Sequence, residues 1–347
     1  MNTIGILLLV ACGDKATDTS QNTEPTDDTG YEEPLPEPSI PDCLVEAGTT
    51  LYGFVGRLDF AEDGVSKEYV PEERTIAVYE MLSQEDIFFV EGNYIGFGLV
   101  EGIEPLVRQQ SYDGCYSFML EPGEYRVALS PGALWEILEV IAWGGFGLKS
   151  QKTKVSPLLK LVEKERSLSP RFSLVENTKE GSSPSFQSDG FISPESVPLV
   201  EKGKYHSALI SPRSAKEFGV STNGASGYEM PQSMDVAAGD IPSAEMIQRL
   251  GTGIDISNLW YLNFSDRTNC GITGMTRFAT LWVEDGVIKG PVNPMRFDDT
   301  VYNLLGENLL GLTQERAFLL SASSYFERST GSARLPGALI KDMRFTL

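Results

Sequence analysis

The chain has 347 residues, 41% of them hydrophobic, enough for two ordinary domains with cores of their own, which excludes a wholly disordered protein. Its net charge of -21 is unevenly placed: residues 1–120 carry 23 acidic side chains against 5 basic ones, whereas residues 121–347 carry 26 against 23. An acidic first third followed by a nearly neutral remainder offers no basic stripe to a phosphate backbone, so nucleic acid is excluded as a direct ligand.

The first twelve residues, MNTIGILLLVAC, place an apolar run from Ile4 to Ala11 directly before Cys12. This resembles a bacterial lipoprotein signal, although no Lys or Arg precedes the run. It implies lipidation at Cys12, a membrane tether and a place in the cell envelope; with a misplaced start, the chain is cytoplasmic instead. Residues 13–42 are rich in Thr, Asp, Glu and Pro and too poor in apolar side chains to fold, so a disordered acidic tether is expected there. No other run approaches the ~20 apolar residues that span a bilayer.

Residues 43–120 alternate short β-like runs, among them TTLYGFVGRLDF and RTIAVYEML, with Gly, Asp, Glu and Pro, the pattern of a small all-β, sandwich-like module. DGCYSFMLEPGEYRVAL is similar to the closing hairpin of transthyretin-like or carboxypeptidase-regulatory-like modules. In an exported chain Cys43 and Cys115 would pair as a disulfide and leave Cys270 alone; in a cytosolic one all three are thiols.

From 121 to 347 an α+β domain dominated by strands, with a few short helices, is expected. Ser130 and Pro131 open an amphipathic helix with Leu134, Ile137, Leu138 and Ile141 on one face, stopped by Gly144 and Gly145. The same Ser-Pro device recurs at Ser156–Pro157 and at Ser211–Pro212, the latter ended by Gly219, and DIPSAEMIQRLG is a further short helix. RFSLVEN, SVPLVEKGKYHSALI, NLWYLNF, ITGMTRFATLWVEDGVIKGPV and ALIKDMRFTL read as strands.

Within this half, Trp260, Phe264, Phe278 and Trp282 fall on even positions, so strand periodicity puts each pair on one face, primarily as core. Tyr261 and Asn263 take the opposite face and, with Arg277, are candidates for a groove in which an extended peptide adds as a strand. Asp266 and Arg267 would contact a peptide terminus or form a solvated pair worth at most ~1 kcal/mol. Cys270 reads as a turn thiol and His206, the only histidine, as a strand residue with no partners for catalysis. Asp298 and Asp299 precede TVYNLLGENLLGL as an acidic helix cap, and no phosphate loop or nucleophile elbow occurs.

GGFGLKSQKTKVSPLLKL, LVENTKEGSSPSFQSDGF, PLVEKGKYHSALISPRSAKEFGVSTNGASGYEMPQS, NLWYLNFSDRTNCGITGMTRFATLWVEDG and RSTGSARLPGALIKDMRFTL, in this order, resemble the C-terminal domain of the TldD/PmbA family, also called modulators of DNA gyrase. The resemblance implies a metallopeptidase system in which two related subunits associate to degrade or mature unfolded peptides. In the metal-bearing subunit an HExxxH helix supplies two zinc ligands and a C-terminal cysteine a third; the partner subunit lacks that helix. Here the one histidine, His206, is followed by Ser207, Ala208, Leu209 and Ile210, and SSYFERSTGSARLPG contains no cysteine. Catalytic zinc takes at least three protein ligands. The resemblance therefore implies a metal-free, PmbA-like subunit that serves as scaffold and peptide cradle, with zinc held by a TldD-type partner. Where the family's own N-terminal region would stand, this chain carries the acidic segment, either as a fusion or as a join of unrelated sequences near LEPGEYRVAL.

Overall fold

The computed structural model describes residues 51–60, 67–78, 118–321 and 329–346. The lipoprotein-like signal with Cys12, the tether, Cys43 and Cys115 lie outside the described residues. Of the expected small β module, one antiparallel hairpin is described: β1 (Leu51–Phe60) pairs β2 (Lys67–Val78), with a bulge between Val55 and Gly56.

The remainder is built on β3 (Gly123–Leu129), whose last three residues are buried. Val127 and Leu129 look into the main core, whereas Ala128 looks into a second, smaller one. Two-sided burial of this end explains why Val127, Ala128 and Leu129 are apolar in succession rather than alternating. The chain then enters α1 (Pro131–Ala142), where the Ser130 hydroxyl accepts from the Ala133 amide at 3.1 Å and Pro131 occupies the first turn. Leu134, Ile137, Leu138 and Ile141 are all buried on the helix face predicted from their spacing.

Short helices α2 (Leu148–Lys152) and α3 (Leu159–Val162) follow. The second Ser-Pro device yields only the four residues of α3, because Lys164 turns the chain out at φ 64°. Strands β4 (Leu174–Glu176), β5 (Val197–Glu201) and β6 (Lys204–Tyr205) precede α4 (Pro212–Phe218). Ser211 caps α4 from the Ser214 amide, and Gly219 ends it at φ 67°, a conformation that costs a residue without Cβ little. Then come β7 (Ser233–Val236), a 3-10 turn running into α5 (Met246–Leu250), β8 (Gly253–Asp266), β9 (Gly271–Glu284), β10 (Val287–Pro291) and β11 (Arg296–Thr300). A π-helical turn at Asn303–Glu307 leads to β12 (Leu309–Leu320) and β13 (Ser332–Phe345).

Strands β3 to β13 form one sheet of eleven strands in the order β10-β9-β8-β3-β13-β7-β4-β5-β6, with β12 on β13 and β11 joining β13 to β9. That last junction closes a ring. From β9 through β8, β3, β13 and β11 back to β9, every neighbour is hydrogen-bonded, so the strand-dominated domain is barrel-like. Closure pairs the ring strands on both sides and leaves β6, β10 and β12 as the edges of the sheet. Helix α1 packs against β8 and β13, and its apolar face merges with Ile254, Ile256, Phe297, Ile340 and Phe345. On the other face Met246 and Leu250 of α5 cover Ala128, Leu281 and Leu339.

The expectation that Asp298 and Asp299 cap a helix is corrected. Both lie in β11, and Thr300 caps the following turn by accepting from the Asn303 amide at 3.1 Å. Asp299 is buried and braces the turn to β13, accepting from the Asn303 amide group and from the Arg344 backbone N–H.

Candidate functional site

Three of the ring strands present a common outward face. Register sets Trp260, Met275 and Arg296 side by side across β8, β9 and β11, then Asn263, Thr273 and Asp298, then Asp266, Gly271 and Thr300 at the hairpin end. The inward face is marked by buried Leu259, Ile272 and Phe297, and by Gly274, where an added Cβ would lie 2.9 Å from Leu262 and from Phe297.

Strand β8 reaches this arrangement only through breaks in its ladder. One lies between Ile256 and Asn258, where β9 carries the surplus; others lie between Trp260 and Asn263, and between Phe264 and Asp266. Each bulge shifts the parity of inward and outward side chains by one residue. Ile254 and Ile256 point inward on even numbers, Leu259 on an odd one, and Leu262 and Phe264 again on even ones. Trp260 is thereby turned out of the core, half exposed at 50%, against the period-two expectation. Phe264 and Trp282 do pack on the core, the latter edge-on to Tyr125 with centroids 6.3 Å apart.

The five proposed groove residues do not converge. Tyr261 forms the middle bulge at φ 56° and is 81% exposed. Asn263 is exposed, its side-chain oxygen accepting from the Phe264 amide at 2.8 Å. Arg277 stacks on the Trp260 ring, its guanidinium carbon 3.8 Å from the centroid, so Trp260, Tyr261, Met275 and Arg277 together make a mixed apolar and cationic surface. Asp266 and Arg267, adjacent in sequence, turn to separate partners. The Asp266 carboxylate accepts from the Thr268 and Asn269 amides and the Asn269 side chain, and these bonds hold its carboxyl below the usual range. Arg267 donates to the carbonyls of Trp143 at 2.6 Å and Val155 at 3.2 Å, with its guanidinium 4.6 Å above the Phe264 ring.

Asp266 instead belongs to a cleft of about 310 Å³ at the hairpin end, lined also by Lys160, Arg166, Asp298, Tyr302 and Arg344. Sequence reading passed over these residues as a set, because they come from four separate segments and no spacing links them. The Lys160 ammonium donates to Asn269, the Ser265 hydroxyl donates to Asp298 at 2.9 Å, and Arg344 donates to the Asp298 carbonyl at 2.7 Å. Beneath the cleft, burial pushes the Cys270 thiol up to about 12, against the pull of Arg267, and raises the Tyr302 hydroxyl as well. Cys270 is therefore a protonated turn residue at φ 52° rather than a nucleophile.

A second polar group lies on the less buried face of α1. There burial raises the Glu136 carboxyl to about 7, with the neighbouring Glu139 adding to the rise and Arg277 opposing it; burial raises Glu139 too. The zinc implied by the family resemblance does not fit these residues. His206 is exposed just past β6, Cys270 is buried and protonated, and no three His, Cys, Asp or Glu side chains gather among the described residues.

The fold is shared with solved structures of low identity. A Thermotoga maritima protein described as a candidate modulator of a DNA gyrase aligns at 17% identity and TM-score 0.55, over 66% of this chain and 51% of that one. TldE from Thermococcus kodakarensis aligns at 14% and 0.56, over 67% and 52%. A Bacteroides thetaiotaomicron candidate modulator of DNA gyrase aligns at 18% and 0.52, over 66% and 48%. The chain thus spans about half the length of these structures, and no curated protein matches it. A family model for the PmbA/TldA metallopeptidase C-terminal domain matches residues 122–347, nearly two thirds of the sequence. The chain therefore belongs to the PmbA/TldD family.

Proposed function

We propose that this chain is a non-catalytic subunit of a TldD/PmbA-type peptidase system, acting in peptide degradation or maturation as scaffold and peptide cradle. A related TldD-type subunit supplies the zinc chemistry. The observation that carries the cradle is the outward face of β8 and β9, where Trp260, Tyr261 and Met275 are exposed together and Arg277 lies on Trp260. An unfolded peptide presents apolar side chains and backbone carbonyls, and an aromatic surface with a guanidinium at its side offers partners to both. The single histidine and the absence of an HExxxH sequence support the non-catalytic half of the reading.

The test is direct. Purified protein should bind a disordered peptide carrying aliphatic side chains, Trp260→Ala should weaken that binding about tenfold, and cleavage should appear only when a TldD-type subunit is added. Stoichiometric zinc together with chelator-sensitive cleavage by the chain alone would overturn the proposal.

A second reading follows from the run Ile4–Ala11 before Cys12: an envelope-tethered lipoprotein whose family domain binds ligands without any peptidase role. It requires a lipid on Cys12 and a Cys43–Cys115 disulfide. Intact-mass analysis of the native N-terminus decides it, since an unprocessed Met1 with free thiols rejects it.

A further inference from the structure

We propose that the cleft at the end of the β8–β9 hairpin is a carboxylate site that receives the free C-terminus of a peptide lying on the outward face; this rests on the cradle reading above. Both carboxylates in the cleft are already engaged: Asp266 takes the Thr268 and Asn269 amides, while Asp298 takes the Ser265 hydroxyl and lies 3.7 Å from Arg344. The cations are less fully used. Among the described residues Arg166 has only a 3.6 Å contact, with the exposed Glu307, and more than half of its side chain is open to solvent, as is that of Arg344. Lys160 rests on a neutral amide, that of Asn269. Two guanidiniums and an ammonium around the hydroxyls of Thr300 and Tyr302 suit a planar anion that accepts several hydrogen bonds.

Met275 of the apolar row and Gly271 of the cleft lie on one strand, four residues apart, with a spacing of about 3.3 Å per residue, so an extended peptide of about four residues reaches from one to the other. Asp298 and Arg296, two residues apart on β11, mark the same path on the same face. An apolar side chain held over Trp260 and Met275 thus sets the C-terminal carboxylate at the cleft.

The experiment compares a pentapeptide of aliphatic residues as free acid and as C-terminal amide, by calorimetric titration of the full chain. The acid should bind about tenfold more tightly, the usual worth of a charge-assisted hydrogen bond. Arg166→Gln and Lys160→Gln should each bring the acid towards the amide without changing the affinity of the amide. Because Arg166 is more than half exposed and Lys160 partly exposed at the cleft rim, the variants should melt close to the parent temperature. Trp260→Ala should weaken acid and amide alike and leave their ratio intact. Equal binding of acid and amide overturns the carboxylate site while the cradle stands. Binding of neither form overturns both.

Discussion

The Arg267 guanidinium donates to the main-chain carbonyl of Trp143, 2.6 Å away, and so ties the tip of the β8–β9 hairpin to the last turn of α1. Its second bond, to the Val155 carbonyl, brings in the loop before α3, and the face of the group rests on Phe264. A cation at a helix C-terminus also complements the helix dipole. Arg267 is therefore a clamp that holds the β8–β9 hairpin against the end of α1.

Replacing Arg267 with alanine removes both bonds and should cost about 1–2 kcal/mol, given that the site is partly solvated. Lysine should recover less than half of the loss, because an ammonium cannot reproduce the planar fork. Urea denaturation of the two variants measures this; a parent-like midpoint for the alanine form would rule out the clamp.

Ser130→Ala should cost ~1 kcal/mol. Its hydroxyl accepts from the Ala133 amide and donates to the Ser257 carbonyl, joining the start of α1 to β8. Hydrogen exchange should show faster opening at the Ala133 amide in particular, before any global change.

Stability should fall as pH rises from about 4.5 to about 7. Burial raises the Glu136 and Glu176 carboxyls to about 7 from 4.5, so the folded state holds these protons more tightly than the unfolded chain. Their contribution is complete below 4.5 and lost by about pH 7, on the order of 1–3 kcal/mol for each group. Asp266 and Glu315 have lowered carboxyl pKa values and act in the opposite sense, but both are exposed and solvent screens them. Glu136→Gln should therefore stabilise the protein at pH 8 and leave it unchanged near pH 4, as read by denaturant midpoints at the two values. A larger loss at pH 8 than at pH 4 would contradict the assignment.

Cys270 should resist alkylation by iodoacetamide at pH 8 until the domain unfolds, because its thiol is both buried and protonated. Mass spectrometry of the peptide containing it, before and after denaturant, provides the measurement. Rapid labelling in the native state would reopen a nucleophilic role.

Local rules carried the sequence a long way. Ser130 and Ser211 cap helices through hydroxyl and amide groups only three residues apart, so the Ser-Pro pairs announced α1 and α4 without knowledge of the fold. The apolar face of α1 and the long β8 and β9 strands followed from periodicity in the same way. What failed depended on partners distant in sequence. Trp260 was assigned to the core by counting in twos, and the ladder break between Ile256 and Asn258 turned it outward. Such a break changes which residues face the core without leaving a mark that alternation can detect.

The sequence by itself determined the strand-rich class, the helix starts, the family resemblance and the lack of a histidine pair for zinc, because these rest on composition or on neighbours a few residues apart. Only the tertiary structure decided that β11 closes the ring, that Asp266 and Arg267 part company, and that Lys160, Arg166, Asp298 and Arg344 meet around one cleft. The physical reason is pairing register. The set of side chains that share a face is fixed by hydrogen bonds between strands dozens to hundreds of residues apart, and that pairing is settled by the packing of the whole core.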